Sequence, residues 1–422
     1  MKILLSAYAC EPWRGSEPDV GFQTMLTLAA EHQVWVLTRS NNLASLRSYL
    51  ESDDRSANIT LVGLDLGRVP LRLKKWGVLG QLWYYDRWQK LAGVRGVELS
   101  DQVDFDVAYH ITFAAYWMRT GIAVVDLPLI LGPIGGGVDP PLSLATELGW
   151  RGMLEDVTRV LGRRLMALLP AVRLGPKRAS LIFVNNAQTG ARIEHLTHGP
   201  VRVLPNPTAI KVPGDLGERT PDRRIFFVAR LVAWKGAALA IRAMKHVRTP
   251  GAQLVLNGDG PDRRRLERLI QRWGLADTVL LEGQVERDLL LRSLGSAGAL
   301  VHPSLHEEGG NAVAEALSMQ VPVVCLNWGG PAVTTTLFPS VQSVAVDVST
   351  PEKTARAMAA ALDSMLGSES RRTGVTQKAT LDYHATILDA VEEMGARSAG
   401  QAEGRLGRPE GGDPPISSGS SL

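Results

Sequence analysis

The first two hundred residues alternate short apolar runs with segments whose apolar positions recur every three or four residues. Lys2–Tyr8, Gln33–Thr38, Asn58–Leu64, Val103–His110, Leu127–Leu131 and Leu181–Asn185 are mostly unbroken apolar runs, as in strands covered on both faces. Stretches such as Val20–Glu31 and Leu43–Leu50 carry helical spacing between them. This alternation predicts βαβ units and a parallel sheet. It breaks at Pro205-Asn206-Pro207 and Pro213-Gly214-Asp215, stays polar to Asp222, and then restarts. Strands are expected at Arg224–Ala229, Ala252–Leu256, Thr278–Glu282, Ala299–His302 and Pro322–Leu326. Helices are expected at Gly236–His246, Asp262–Trp273, Arg287–Ser293 and Ala312–Met319.

The expected fold is therefore α/β: two Rossmann-like, doubly wound domains facing across a cleft. Residues 1–210 form the first domain and residues 211–394 the second, whose last helix is free to pack back on the first. Residues 395–422 hold 15 Gly, Pro or Ser among 28 and no aromatic residue, so a disordered tail is expected. Ligands of such sheets bind beyond the carboxyl ends of the strands, which points to the cleft.

Composition narrows the function classes. The 422 residues are 45% hydrophobic and 21% charged, ordinary for a globular protein. No stretch reaches the ~18 uninterrupted apolar residues of a membrane span. The start, Met1-Lys2-Ile3-Leu4-Leu5-Ser6, turns polar too soon for a secretory signal, so a cytoplasmic protein is expected. Cys10 and Cys325 are too few for a disulfide framework or a cysteine metal site and read as small buried hydrophobes. A net charge of +3 is too small to suggest a nucleic-acid partner, and the whole excess lies in residues 1–210.

The second half carries the chemistry. Ala229-Arg230-Leu231-Val232-Ala233-Trp234-Lys235-Gly236 places two cations after a strand and before a helix, where backbone N–H groups favour an anion. A pair of solvated surface cations is the plainer alternative. Pro303 to Ala316 runs from a strand through Glu307, Glu308, Gly309, Gly310 and Asn311 into a helix bearing Glu315. The two glycines allow close backbone approach, and Glu307 and Glu315 sit where they meet different parts of one extended ligand. Gly258-Asp259-Gly260-Pro261 lacks the third glycine of a dinucleotide fingerprint and reads as a structural turn. Gly135 and Gly136 follow a strand and either admit a ligand to the backbone or simply bend the chain. The turn Glu11–Glu17, with Gly15, lacks the dinucleotide spacing. His110 ends a strand on the side where sites are built, a placement that a structural histidine also fills.

Taken in order, Arg230–Gly236, Gly258–Pro261, Glu307 with Glu315, and Val321-Pro322-Val323-Val324 followed by Gly329-Gly330 resemble family 4 of the retaining glycosyltransferases, of GT-B architecture. With the turn at Gly15, His110 and Pro205-Asn206, the resemblance covers roughly residues 1–390. It implies that Arg230 and Lys235 hold the diphosphate of a nucleotide-sugar donor, UDP- or GDP-linked. It implies that Glu315 binds the ribose, that Glu307 lies by the transferred sugar, and that His110 reaches that sugar from the first domain. Gly309, Gly310, Asn311 and Gly15 fall on the donor side by the same likeness, and Gly135 and Gly136 on the acceptor side. No cofactor or metal is expected, since the two cations supply the positive charge. Where the family has Glu-Gly-Phe-Gly, this chain has Glu307-Glu308-Gly309-Gly310, and Pro205-Asn206-Pro207 replaces the usual Pro-Asn-Gly.

The implied activity is hexosyl transfer to a glycan or lipid-linked saccharide, in surface polysaccharide or glycoconjugate synthesis. Two alternatives stand beside it: a nucleotide-sugar 2-epimerase of the same architecture, and a non-catalytic nucleotide-sugar-binding protein. Residues 68–95 hold seven Lys or Arg against one acid, Asp86, with Trp76, Trp83, Tyr84, Tyr85 and Trp88 interleaved. Residues 157–178 hold six cations and no acid, and Val157, Val160, Leu161, Leu165, Leu168 and Leu169 share a helical face. Such segments suit either an anionic membrane surface, making the protein peripheral on the inner face of the cytoplasmic membrane, or a basic face over an aromatic core.

Overall fold

The computed structural model describes residues 1–12, 16–206, 222–366 and 378–406. The first sheet comprises β1 (Lys2–Ala7), β2 (Gln33–Arg39), β3 (Ile59–Leu64), β4 (Val107–Ile111), β5 (Leu129–Ile134), β6 (Ala179–Val184) and β7 (Val201–Val203). The second comprises β8 (Arg224–Val228), β9 (Gln253–Asn257), β10 (Val279–Gly283), β11 (Ala299–His302), β12 (Val323–Leu326) and β13 (Ser343–Val346). Their spatial orders are β3-β2-β1-β4-β5-β6-β7 and β10-β9-β8-β11-β12-β13, and every pairing is parallel. Both sheets are doubly wound, and the order reverses between β1 and β4 and between β8 and β11. Those reversals open crevices at the strands' carboxyl ends.

Alternation along each strand explains the two-faced burial. Ile3 and Leu5 join one core with Val34, Val36 and Phe22, while Leu4 joins the opposite one with Tyr84 and Trp88. In the second sheet Ile225 and Phe227 face one side and Phe226 the other. Each such side chain, fully buried, contributes about 1.5–3 kcal/mol. Cys10 and Cys325 are both buried.

The chain crosses between the two cores twice more. Leu144 and Leu148, on the turn Leu142–Leu148, are buried in the second core although they precede its first strand by some eighty residues. Glu147 accepts from Arg242 Nη2 at 2.7 Å, and the following helix Gly149–Ala167 lies against Ala233. Tyr383, Ile387, Ala390, Val391 and Met394 return to the first core. The final helix runs Lys378–Leu406, so the disordered tail expected from residue 395 begins too early. Ala396, Arg397, Ala399, Gln401, Ala402, Glu403 and Arg405 are good helix formers, which offset the scattered glycines. Residues 407–422 lie outside the described residues. The pattern also missed β7 and β13, because three or four residues such as Val201-Arg202-Val203 form no continuous apolar run.

Candidate active site between the two sheets

The ends of β4, β8 and β11, with the helix that follows β1, surround a cavity of about 600 Å³. Its second-domain wall begins where β8 leaves the sheet at Val228, Ala229 and Arg230. The turn Gly258–Pro261 buttresses this exit: Leu231 N–H donates to Asp259 O at 2.9 Å, and Asp262 N–H to Leu231 O at 3.0 Å. Gly258 has φ +135°, and a Cβ there would stand 2.0 Å from Ala229 O. The weak glycine motif is thus structural. Arg230 itself is exposed, with no carboxylate paired to it among the described residues.

Lys235 ends the turn Ala233–Lys235, and Gly236 follows at φ +77°. A Cβ at Gly236 would fall 1.9 Å from Pro303 O, so only glycine lets this loop lie on the one after β11. Leu305 N–H donates to Trp234 O at 2.8 Å, which ties the two loops together. Across that junction the Lys235 ammonium pairs with Glu307, and His302 Nε2 lies 3.5 Å from Glu307 Oε2. Burial alone pushes the Glu307 carboxyl up, but the contact with His302 and the Lys235 charge outweigh it and hold the group at about 2. Glu307 is therefore a fixed anion. Gly309, Asn311 and Ala312 continue the wall, and Gly310 caps the helix Asn311–Ser318. Glu315 lies one turn further in, outside the cavity lining, and accepts from Arg287 Nη2 at 2.6 Å.

The opposite wall comprises Glu17, Phe113–Ala115, Met118, Gly135, Gly136, Asn185 and Asn206. After β4 the backbone passes through two left-handed residues, Thr112 (φ +67°) and Phe113 (φ +49°). Such conformations cost about 1–3 kcal/mol each and need outside support. Glu17 Oε2 accepts the Phe113 N–H at 2.7 Å, and Thr112 Oγ1 accepts the Ala9 N–H at 3.2 Å. Burial pushes the Glu17 carboxyl up, and the Phe113 bond opposes it. Asn206 N–H donates to Asn185 Oδ1 at 3.2 Å. Gly15 lies outside the described residues.

His110 does not reach the cavity. It is 2% exposed, with Nδ1 3.2 Å from Ser6 Oγ and Nε2 3.5 Å from Tyr85 Oη, and Phe113 occupies the strand's exit instead. Burial lowers its imidazole to about 4. The unfolded chain takes up this proton below its ordinary value of 6.5, whereas the folded protein does not. Stability should therefore fall as pH drops from 6.5 toward about 4. Unfolding free energies across that range should flatten in His110→Asn; an unchanged slope would show that His110 does not set it. His306, lowered to about 3 by burial and by Arg159 and Arg163, adds to the decline.

Glu308 explains the departure from the Glu-Gly-Phe-Gly pattern. Its carboxylate turns across the cleft and accepts from Val138 N–H (3.0 Å), Asn186 Nδ2 (3.1 Å) and Thr189 Oγ1 (3.1 Å). Asn186 also donates to its carbonyl at 3.2 Å. The extra acid is an inter-domain latch. Glu308→Ala is expected to lower unfolding free energy by about 1.5–3 kcal/mol, the range for hydrogen bonds to a charged group. Denaturant titration giving no change would show that the latch carries no weight.

The structure thus brings Arg230, Lys235, Glu307, Gly309, Asn311, Gly135 and Gly136 to one cavity. Sequence reasoning passed over Glu17, His302 and Asn185. His302 and Asn185 had a signal, since each ends an expected strand as His110 does; Glu17 had none in its spacing. Among the described residues no group of three His, Cys, Asp or Glu side chains is placed to hold a metal ion.

Residues 211–380 match the family model for glycosyl transferases group 1. A 2-deoxystreptamine N-acetyl-D-glucosaminyltransferase of Streptomyces fradiae is 29% identical over 220 residues, 48% of this chain and 52% of that one. The chain therefore spans about half the length of this curated relative. Among solved structures, sucrose-phosphate synthase of Thermosynechococcus elongatus aligns over 96% of this chain and 98% of its own (18% identity, TM-score 0.50). The Anabaena HepE protein, crystallised in complex with UDP, aligns over 96% and 100% (16% identity, TM-score 0.51). These structural likenesses establish the fold, the GT-B architecture of two facing Rossmann-like units.

Proposed function

We propose that this chain, whose residues 211–380 are a group 1 glycosyltransferase domain, is a retaining hexosyltransferase. It moves a hexosyl group from a nucleotide-diphosphate sugar to a glycan or lipid-linked saccharide, in the building of surface polysaccharide or glycoconjugate on the cytoplasmic side. The observation that carries this reading is the pair Arg230 and Lys235, on the one loop that follows β8, at a cavity where both sheets reverse their strand order. Breaking the bond between a sugar and a diphosphate places growing negative charge on the departing phosphate. A guanidinium fork and an ammonium fixed beside it stabilise that charge without resident metal or cofactor.

In this reading Glu307, held ionised against Lys235, sits by the transferred sugar, whose partial positive charge grows as the bond lengthens. Gly309, Gly310 and Asn311 offer backbone and amide groups to its hydroxyls. Gly135 and Gly136, with Asn185 and Asn206, face it from the acceptor side. Glu315 takes the ribose after exchanging its Arg287 partner. The resemblance assigns His110 to the reacting sugar; from its buried place behind Phe113 it acts only if that end of β4 moves.

Incubation with radiolabelled UDP- and GDP-sugars tests the reading. Label passing to a saccharide acceptor supports it; a donor that is epimerised, or returned unchanged, overturns it. A second measurement isolates the nucleotide end. Glu315→Gln is expected to weaken binding of free UDP or GDP by about 1–3 kcal/mol in titration calorimetry, whereas Glu307→Gln leaves it unchanged. Equal losses in both variants would contradict the assignment.

A further inference from the structure

The helix Gly149–Ala167 is amphipathic in the reverse sense to an ordinary surface helix. Its inner side carries Gly152 against Ala233, Arg159 over the Trp234 ring and Arg163 against His306 and the Trp117 ring. Its outer side presents Trp150, Leu154, Val157, Leu161 and Leu165, with Leu168 just beyond the helix, all more than half exposed. These positions recur every three or four residues, so they form one stripe five turns long. A second apolar group lies at the helix Arg68–Leu73 and the start of Gly77–Ser100: Val69, Trp76, Val78 and Leu79, the last 81% exposed. The core takes Tyr84, Tyr85 and Trp88 from this segment and leaves Trp76 outside. The loop Ala114–Arg119 touches both segments, through the Arg119–Asp86 ion pair (2.7 Å) and the Trp117 ring under Arg163.

Cations border both groups. Arg68, Arg72 and Lys75 are exposed beside the second, and Arg151, whose guanidinium lies over the Trp150 ring, is exposed beside the first. On the stripe's helix Glu155 is exposed and Asp156 pairs with Arg159, while on the second segment Asp86 pairs with Arg119. Contiguous exposed apolar surface of this extent marks an interaction site. A second copy of the chain, docked isologously, would set like charges against each other. Among the described residues no helix is long and apolar enough to cross a membrane.

From the stripe, the second apolar group and their bordering cations, we infer that this face docks on an anionic lipid bilayer. The apolar side chains enter the boundary between headgroups and acyl chains, and the arginines and lysines meet lipid phosphates. The helix that would lie on the bilayer is the one whose inner side packs beside the cavity, so docking brings the cavity to the membrane plane. Docking does not depend on the identity of the donor. The structure also corrects which cations matter. Arg163 is turned inward to His306, Lys74 lies over the Tyr8 and Tyr84 rings, and Arg164 pairs with Asp139 at 3.0 Å.

The test is co-sedimentation of the full chain with vesicles of phosphatidylcholine alone or with about 30% phosphatidylglycerol, at about 50 mM and about 500 mM salt. The protein should bind the anionic vesicles at low salt, lose most binding at high salt, and leave neutral vesicles largely unbound. Two triple variants, Leu154→Gln with Leu161→Gln and Leu165→Gln, and Arg68→Glu with Arg72→Glu and Lys75→Glu, should each cut partitioning about tenfold or more. Both sets are exposed, so the unfolding midpoint and UDP binding should match the parent. Absence of binding to anionic vesicles at low salt overturns the inference. So does unchanged partitioning in both folded variants, or a stripe variant that only converts a dimer to a monomer in sedimentation velocity.

Discussion

Replacing Arg230 with alanine is expected to lower turnover of a nucleotide-sugar donor by about 100- to 1000-fold, or about 2.7–4 kcal/mol of transition-state stabilisation. The expectation rests on placement. Arg230 is the second residue past the end of β8, the backbone beside it is fixed by the Gly258–Pro261 turn, and its side chain is exposed at the cavity. Such a group costs little to remove from the folded state, so the unfolding midpoint should stay within the scatter of surface substitutions. Arg230→Lys should recover part of the rate, since it restores charge without the planar fork that matches phosphate oxygens. Steady-state kinetics and thermal unfolding of the two variants check this together. Near-parental turnover in the alanine variant would remove Arg230 from the reaction, and a large loss of stability would assign it to the fold.

What could be read from the sequence follows from where the physics is local. The apolar runs at β1, β2, β4 and β6 are buried on both faces, so each declares itself by composition alone, and the expected winding is the observed one. Arg230, Lys235 and Glu307 were legible because strand ends and glycine-bearing turns mark them from within a few residues. Three features were not. Leu144 and Leu148 carry an ordinary helical spacing, and nothing in it says that they belong to the other domain's core. Glu308 reads as a second acid in a loop; only the fold brings Asn186 and Thr189, well over a hundred positions away, to its oxygens. His110 has the right place on its strand, yet the left-handed turn at Thr112 and Phe113 sends a different side chain into the cavity. In the first two cases a contact distant in sequence overrode a correct local reading, and in the third the local backbone turn did.

The Lys235–Glu307 pair separates folding from catalysis within one contact. Lys235→Ala is expected to cost about 100- to 1000-fold in turnover, as the second cation of the clamp. Unlike Arg230, it should also destabilise the fold, because Glu307 would be left buried beside His302 alone. Both side chains are about one-fifth exposed, so a loss of about 1–3 kcal/mol is expected, between the surface and fully buried cases. The pH dependence supplies the sign. The carboxyl is held at about 2, below its ordinary 4.5, so the stabilisation is full above pH 4.5 and lost as pH falls toward about 2. In Lys235→Ala the carboxyl rises, and that loss should begin at higher pH. Adding Glu307→Gln to Lys235→Ala removes the unpaired charge and should restore most of the stability, a coupling that a double-mutant cycle reads directly. Turnover should not return with it, because no cation has been put back. If stability and turnover recover together in the double variant, Lys235 serves only to neutralise Glu307 and takes no part in holding a phosphate.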